Sequence, residues 1–426
     1  MPADSDIVIV GGGAGGLELA ARLGRRFGHS EGKRRVLLID RSIFHLWKPS
    51  LHEVAAGSLD AHQEGLSYPM LARRNHFSFA LGDLIGLDLD AKTIELADIR
   101  DKDGQVLVGR RSIPFRTLVL AIGSGSNLFD TPGAAEHAHL LENVADAEAF
   151  NERLTAAFLA AAYSDNRTLN IAIVGAGATG VELSSELIEG HDELSAGLAP
   201  DQRFDLQVTL VEAAPHILGG LSEKLAAKAA RALEAKGVRL LTDANVVAVH
   251  ADRLDTSQGL IPSDLIVWAA GVKASEHNRS LGLTIGRLNQ FVVDDHLRTS
   301  APGVFAMGDC AEAPGPDGKP VPARAQAAAQ QAAYLARVLA DPSRDRGPYV
   351  YRDRGSLVSL GEGQGVGSLM GGLAGPNFLI EGLIARWVYM GLHLDHHRAI
   401  IGIRRTLLLA LSRLLHRRVS GRLKLH

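Results

Sequence analysis

The 426-residue chain is long enough for two or three domains, and 46% hydrophobic with 22% charged residues is a globular balance, not a disordered one. Formal net charge is −3, but residues 398–426 hold seven Arg, one Lys and no acid; a tail of +8 therefore follows a body of −11, which argues against nucleic acid as the main partner. The one cysteine, Cys310, leaves no intramolecular disulfide and no C-x-x-C redox pair.

The chain enters its first strand almost at once, so no signal peptide is expected, and a reducing cytoplasmic location is the simple expectation. Ile7–Val10 is β-branched and apolar, the pattern of a strand buried on both faces. Gly11, Gly13 and Gly16 then fit G-x-G-x-x-G, and the helical run Leu17–Phe27 follows. The first glycine allows a tight turn, the second lets a pyrophosphate approach the backbone, and the third lets helix and strand pack closely. Free N–H groups at the helix start would receive the pyrophosphate. Strand Val36–Ile39 ends at Asp40, 24 residues past Gly16, where a carboxylate can accept hydrogen bonds from a ribose. Glycines alone are a weak sign; strand, glycines, helix, strand and acid in this order predict a dinucleotide site.

Residues 41–60, RSIFHLWKPSLHEVAAGSLD, read as a loop running into a short helix, either a surface loop around a buried Trp47 or a wall of the cofactor site. Gly28-His29-Ser30-Glu31-Gly32 matches G-x-S-x-G, but a helix precedes it and a strand follows, the reverse of a serine hydrolase. Residues 76–120 alternate short apolar runs with charges and predict strands and hairpins, the last being Leu118–Ile122 before Gly123. Asp146–Ala162 is an Ala-rich helix.

The opening motif then recurs. Strand Asn170–Val174 leads to Gly175, Gly177 and Gly180 and a helix through Leu187. Strand Gln207–Val211 ends at Glu212, 32 residues past Gly180, a long gap ascribed to a loop inserted at 190–203. Two such units imply two nucleotides. FAD and a nicotinamide cofactor are the economical pair, because hydride transfer needs two rings held face to face. Glu212 is followed by Ala213 and Ala214 with no adjacent Arg, which favours NADH over NADPH. Glu182, in the first helical turn, either complements the helix dipole or borders the nicotinamide. Asp264–Ala270 is a buried strand ending at Gly271, and Gly303–Asp309 a strand that places a carboxylate near a flavin's ribityl chain if the first domain closes there. Residues 323–341 form an Ala-rich helix whose Gln326 and Gln330 share one face; periodicity alone favours a packing helix with solvated Gln.

No uncharged apolar run reaches the roughly 18 residues of a membrane span. Phe378–Leu394 is mostly apolar but contains Glu381 and Arg386. His393, Asp395, His396 and His397 lack ligand spacing and read as solvated or interfacial, so no metal is expected. Leu407, Leu408, Leu411, Leu414 and Leu415 make one greasy helical face, with Arg405, Arg413 and Arg417 opposite. Leu409 falls on the polar side, and Arg404 and Arg418 sit at the ends of the stripe. A basic amphipathic helix of this kind lies in a membrane interface and is attracted to anionic lipid; packing on the body or a dimer contact is the alternative.

Five segments, HLWKPSLHEVAAG (45–57), GAGATGVELSSEL (175–187), WAAGV (268–272), VFAMGDCA (304–311) and AQAAAQQA (325–332), resemble the type II NADH dehydrogenases, single-subunit NADH:quinone oxidoreductases. The likeness covers nearly the whole chain, and the RLKLH ending is similar to some bacterial members. The paired glycine motifs alone fit the wider disulfide-reductase-like flavoproteins; AQAAAQQA and HLWKPSLHEV narrow the match. The resemblance implies an α/β fold of two Rossmann-like dinucleotide-binding domains plus a C-terminal membrane-associating helical region. Residues 1–125 and 286–345 would bind FAD, the second part carrying the quinone-site helix, with 126–285 for NADH and 346–426 for the membrane. Gly11, Gly13, Gly16, Asp40, Lys48, Asp309 and Ala325 would hold FAD, and Gly175, Gly177, Gly180, Glu212 and Gly271 would hold NADH. Glu182 would stand by the nicotinamide, and Gln326 and Gln330 would line the quinone site, reversing the reading from periodicity. Ser50 stands where relatives often carry Leu, and Ala332 where Gly is common.

The implied reaction passes a hydride from NADH to FAD and two electrons on to a membrane quinone, with no protein nucleophile, metal or proton pumping. The implied place is peripheral, on the cytoplasmic face of the inner (plasma) membrane, with a homodimer left open. Sulfide:quinone oxidoreductases and thiol–disulfide reductases need a second cysteine. A ferredoxin or rubredoxin reductase fits the fold without needing the tail, and a non-enzymatic NADH sensor would bind without turnover.

Overall fold

The computed structural model describes residues 6–164, 167–316, 318–361, 365–371, 374–381, 391 and 396–419. β1 (Ile7–Val10) is buried at every position and leads through α1 (Ala14–Phe27), β2 (Val36–Asp40), α2 (Leu51–Ala55), α3 (Tyr68–Asn75) and β3 (Ser78–Leu81) to β4 (Thr117–Leu120). Then come β5 (Gly125–Ser126), β6 (His139–Leu140), α4 (Val144–Ala162), β7 (Thr168–Val174), α5 (Ala178–Gly197) and β8 (Asp205–Val211). α6 (Glu223–Ala235), β9 (Arg239–Leu241), β10 (Leu265–Trp268) and β11 (Val272–Lys273) complete the second unit. The chain continues through β12 (Val304–Ala306), α7 (Ala325–Ala340), the antiparallel strands β13 (Ser356–Ser359), β14 (Gly365–Gly371) and β15 (Ala374–Glu381), and α8 (Ile403–Val419).

Two five-stranded parallel sheets organise the chain, in the orders β12-β4-β1-β2-β3 and β6-β10-β7-β8-β9. In each, the winding reverses beside the opening strand, between β1 and β4 or between β7 and β10. That leaves a crevice at the carboxyl ends of the strands, where ligands of open α/β sheets bind. β12 pairs with β4, Leu118 opposite Val304, so residues 304–306 close a sheet begun at residue 7. β5 and β11 pair antiparallel and tie the two crossing segments together.

Most predicted elements are present with shifted ends. α1 starts at Ala14, three residues before the expected start, because extended Gly13 serves as its N-cap. Of the loop expected at 190–203, residues 190–197 are instead two further turns of α5, which runs to Gly197, and only 198–203 lead on toward β8. No proline interrupts it before Pro200, and His191 Nε2–H anchors the added turns on Phe204 O at 2.9 Å. Within residues 41–60, α2 lodges Leu51 and Val54 in the core of the second sheet with Phe150 and Leu187, each burial contributing about 1.5–3 kcal/mol. The helix that follows the first cradle in sequence therefore props the second unit.

The C-terminal part also departs from expectation. Phe378–Glu381 belong to strand β15, while 382–390 and 392–394 lie outside the described residues. His396 and His397 are buried rather than solvated, and His393 and Asp395 lie outside the described residues. On α8, Leu409 packs against the first core instead of joining a polar face, beside buried Thr406. Ile403, Leu407, Leu408 and Leu411 are 52–65% exposed on the other side. The side chains of Arg413, Leu414, Leu415, Arg417 and Arg418 lie outside the described residues. No helix among the described residues is long and apolar enough to cross a membrane.

Candidate active site

The two glycine turns are built alike. Gly11 at φ +102 and Gly175 at φ +99 carry the chain out of β1 and β7 in a conformation that a side chain resists. A Cβ on Gly16 would strike Gly11 O, and one on Gly180 would strike Gly175 O, so helix and turn pack with no room between them. Gly13 and Gly177 differ: an added Cβ there meets nothing within 4 Å. Each is the N-cap of its helix, without a side-chain cap bond and without an acid in the first turn. The backbone N–H groups are thus free in two open concavities, which fits a pyrophosphate in each.

Each turn is clasped by the acid at the end of the neighbouring strand. Asp40 accepts from Gly12 N–H at 2.6 Å and Ser42 N–H at 2.8 Å; Glu212 accepts from Ala176 N–H at 2.7 Å and Ala214 N–H at 2.9 Å. Every carboxylate oxygen keeps a lone pair for a ribose hydroxyl. Burial lifts the Asp40 carboxyl above its ordinary range, opposed by the two backbone N–H groups.

Gly12 is held from its other side too. Its carbonyl accepts from Tyr68 O–H at 2.7 Å and from His45 Nδ1–H at 3.1 Å. Burial pushes the His45 ring down to about 4, so the ring is neutral near neutral pH. With Nδ1 donating, His45 Nε2 accepts from His396 Nε2–H at 3.0 Å. The C-terminal segment is thereby wired to the first cradle, a link with no signature in the local sequence.

Lys48 donates to Ser124 O at 2.8 Å, and Ser124 Oγ–H donates to Asp309 at 3.2 Å. Burial raises the Asp309 carboxyl, with the Lys48 charge as the chief opposing influence. Ser124 and Asp309 line a cleft of about 420 Å³ together with Lys273, Arg287 and Gln290. Lys48 and Asp309, far apart in sequence, thus meet around Ser124. Cys310 next to it is fully buried, and burial lifts its thiol to about 11, so it is no nucleophile.

Ala325 opens α7, and the alanines of this helix let α1 come close: a Cβ on Gly15 would lie 3.2 Å from Ala328 Cβ. Gln326 and Gln330 do not point into bulk water. Gln326 accepts from Arg354 N–H at 2.9 Å and donates to Gly355 O at 3.2 Å; Gln330 accepts from Arg352 N–H at 3.1 Å and donates to Arg352 O at 2.8 Å. Gln331, which pattern reading passed over, is buried and accepts from Gly308 N–H at 2.7 Å, fixing the turn before Asp309.

Glu182 is 6% exposed, and its carboxylate accepts from Ser359 N–H at 3.0 Å with His52 Nδ1 3.5 Å away. Burial raises it to about 7, His52 pulling the other way. His52, 2% exposed on α2, is the partner that sequence reading missed. Gly271, at φ +72, ends the second crevice beyond β10.

The family model described as pyridine nucleotide-disulphide oxidoreductase matches residues 5–332. A curated type II NADH:quinone oxidoreductase of Haemophilus influenzae is 39% identical, covering 99% of this chain and 100% of that protein. One from Staphylococcus aureus is 30% identical over 86% of this chain and 90% of its own. The solved structure of NDH2 from Plasmodium falciparum in complex with NADH superimposes with a TM-score of 0.82 at 16% identity, covering 98% of this chain and 99% of that one, a likeness of fold. On its cradles, its single inert thiol and these relatives, the chain belongs to the pyridine nucleotide-disulphide oxidoreductases and, among them, to the type II NADH:quinone oxidoreductases.

Proposed function

We infer that the chain is an FAD-dependent oxidoreductase that takes two electrons from NADH and passes them to a quinone. The observation that carries this reading is the duplication: two open glycine cradles, each with its own clasping carboxylate, at the carboxyl ends of two parallel sheets. FAD, when bound, supplies the two-electron relay between a hydride donor and a quinone.

The chain's own groups bind, orient and hold protons. Residues 1–125 and 286–345 hold FAD through Gly11, Gly13, Gly16, Asp40, Lys48, Asp309 and Ala325, a division supported by β12 completing the first sheet. Gly175, Gly177, Gly180, Glu212 and Gly271 hold NADH within 126–285, and a carboxylate with two alanines after it suits an unphosphorylated ribose. Glu182, titrating near neutrality in a water-poor setting beside His52, holds the proton that a quinol needs. Gln326 and Gln330 shape the quinone wall through the 351–355 segment that they grip.

The 346–426 region places the enzyme peripherally on the cytoplasmic face of the membrane. Support comes from the outward leucines of α8, exposed Arg404 and Arg405 beside them, and the +8 tail, which together suit anionic lipid. The test is steady state: protein loaded with FAD oxidises NADH when a quinone is added, one quinone reduced per NADH, with no protein acceptor present. NADH binding without quinone-dependent turnover would mark a sensor and overturn the reading.

A further inference from the structure

Resting on the assignment of the second cradle to NADH, we propose that Phe129 is the aromatic wall of that site, packing on the nicotinamide half of the bound dinucleotide. Phe129 and Asp130 lie at φ +52 and +53, both in the left-handed region, at the centre of a turn closed by Thr131 N–H to Leu128 O at 2.9 Å. A bulky aromatic residue is strained there, and such strain gathers at ligand clamps. Burial does not compensate for it, because the side chain is 62% exposed.

The turn is nevertheless firmly placed. Trp268 Nε1–H donates to Asn127 O at 2.9 Å, Asn127 N–H to Gly271 O at 3.3 Å, and Phe129 N–H to Asn127 Oδ1 at 3.1 Å. The ring itself rests on Gly271, whose added Cβ would lie 3.0 Å from Phe129 Cζ. Gly271 follows Ala270, and Ala270 abuts the cradle: a Cβ on Gly175 would lie 2.6 Å from Ala270 Cα. The contacts thus run without a gap from cradle to ring. Because β10 and β8 flank β7 on opposite sides, Phe129 and Glu212 stand at opposite ends of the crevice. A dinucleotide with its adenosine ribose on Glu212 and its pyrophosphate on the cradle extends its nicotinamide nucleotide toward β10. There the ring, backed by Gly271, turns its exposed face outward as an apolar wall that excludes water from the nucleotide.

Phe129→Ala should raise the KM for NADH about tenfold, leave kcat at saturating NADH within about twofold, and leave unchanged the reoxidation of dithionite-reduced enzyme by a quinone. Phe129→Gly, freed of the left-handed strain, should show the same rise in KM while melting at a higher temperature than Phe129→Ala. An unchanged KM in both variants, with Glu212→Ala raising it, overturns the proposal and leaves the NADH assignment standing. An unchanged KM in Glu212→Ala as well means that the NADH assignment has failed, and the proposal with it. Equal losses in both half-reactions, or loss of FAD, would show a merely structural role and overturn it too.

Discussion

Glu182 and His45 are buried groups pushed in opposite directions, and their effects on stability oppose each other. Burial raises Glu182 from 4.5 to about 7, so the folded protein keeps a proton that the unfolded chain releases. That contribution is complete below pH 4.5 and is lost as pH rises through 7. Burial lowers His45 from 6.5 to about 4, so its contribution is complete above pH 6.5 and is lost as pH falls through 4. Each slope is worth on the order of 2–3 kcal/mol, and they nearly cancel between pH 4.5 and 6.5. Urea unfolding across that window should show stability rising with pH in Glu182→Gln and falling with pH in His45→Gln. Two variants with parallel profiles would refute the assignment. Glu182→Gln should also remove a titration near pH 7 from the quinone half-reaction. At the other end of the second crevice, NADH should show a much higher kcat/KM than NADPH. Glu212→Ala should erode roughly 1–3 kcal/mol of that preference, and equal efficiency of the two cofactors in the unaltered enzyme would sink it.

Among the elements, α7 has two working faces. Its alanines face α1, and its glutamines grip the 351–355 backbone, each amide both donating and accepting. Gln326→Leu or Gln330→Leu keeps the helix and much of the side-chain volume but leaves backbone groups of that segment without partners, at about 1–3 kcal/mol. Stopped-flow measurement should find quinone reduction slowed roughly tenfold, with flavin reduction by NADH changed much less. A slowed NADH step beside an intact quinone step would remove the glutamines from the quinone wall.

For the whole molecule, the C-terminal region packs on the first core and also exposes leucines. Ile400 and Ile401 are buried in the first core, and Ile400 O accepts from Asn75 Nδ2–H at 2.9 Å, so a cut must spare them. Truncation after Gly402 removes α8 and most of the basic tail, giving up the contacts of Thr406 and Leu409 but keeping those of Ile400 and Ile401. The shortened protein should retain FAD and reduce a soluble acceptor with NADH, while its affinity for anionic vesicles falls about tenfold or more. Added salt should weaken the binding of the full-length protein, since its charges are screened over about a Debye length. Full-length protein that stays off anionic vesicles at low salt would refute the membrane contact.

Both cradles are legible in the sequence, because a glycine at positive φ, a helix start and an acid at a strand end are set by neighbours within a few dozen residues. The choice of NADH was legible for the same reason, as Glu212, Ala213 and Ala214 are adjacent. Other features depend on contacts that span the chain. By sequence Glu182 reads as an ordinary first-turn acid, but α5 begins at Ala178 and carries it past that turn, where α2 brings His52, 130 residues earlier, against it and removes both from water. Gln326 and Gln330 share a face by periodicity, but only packing shows that 351–355 occupies it. α5 outran its predicted end because Gly190 costs a helix only about 1 kcal/mol and no proline stops it before Pro200. The sequence by itself determined the two glycine cradles, whose physics lies in short-range backbone geometry. Only the tertiary structure decided which acid is desolvated, which histidine faces it and which aromatic ring stands over Gly271, because burial and long-range contact arise when distant segments share one interior.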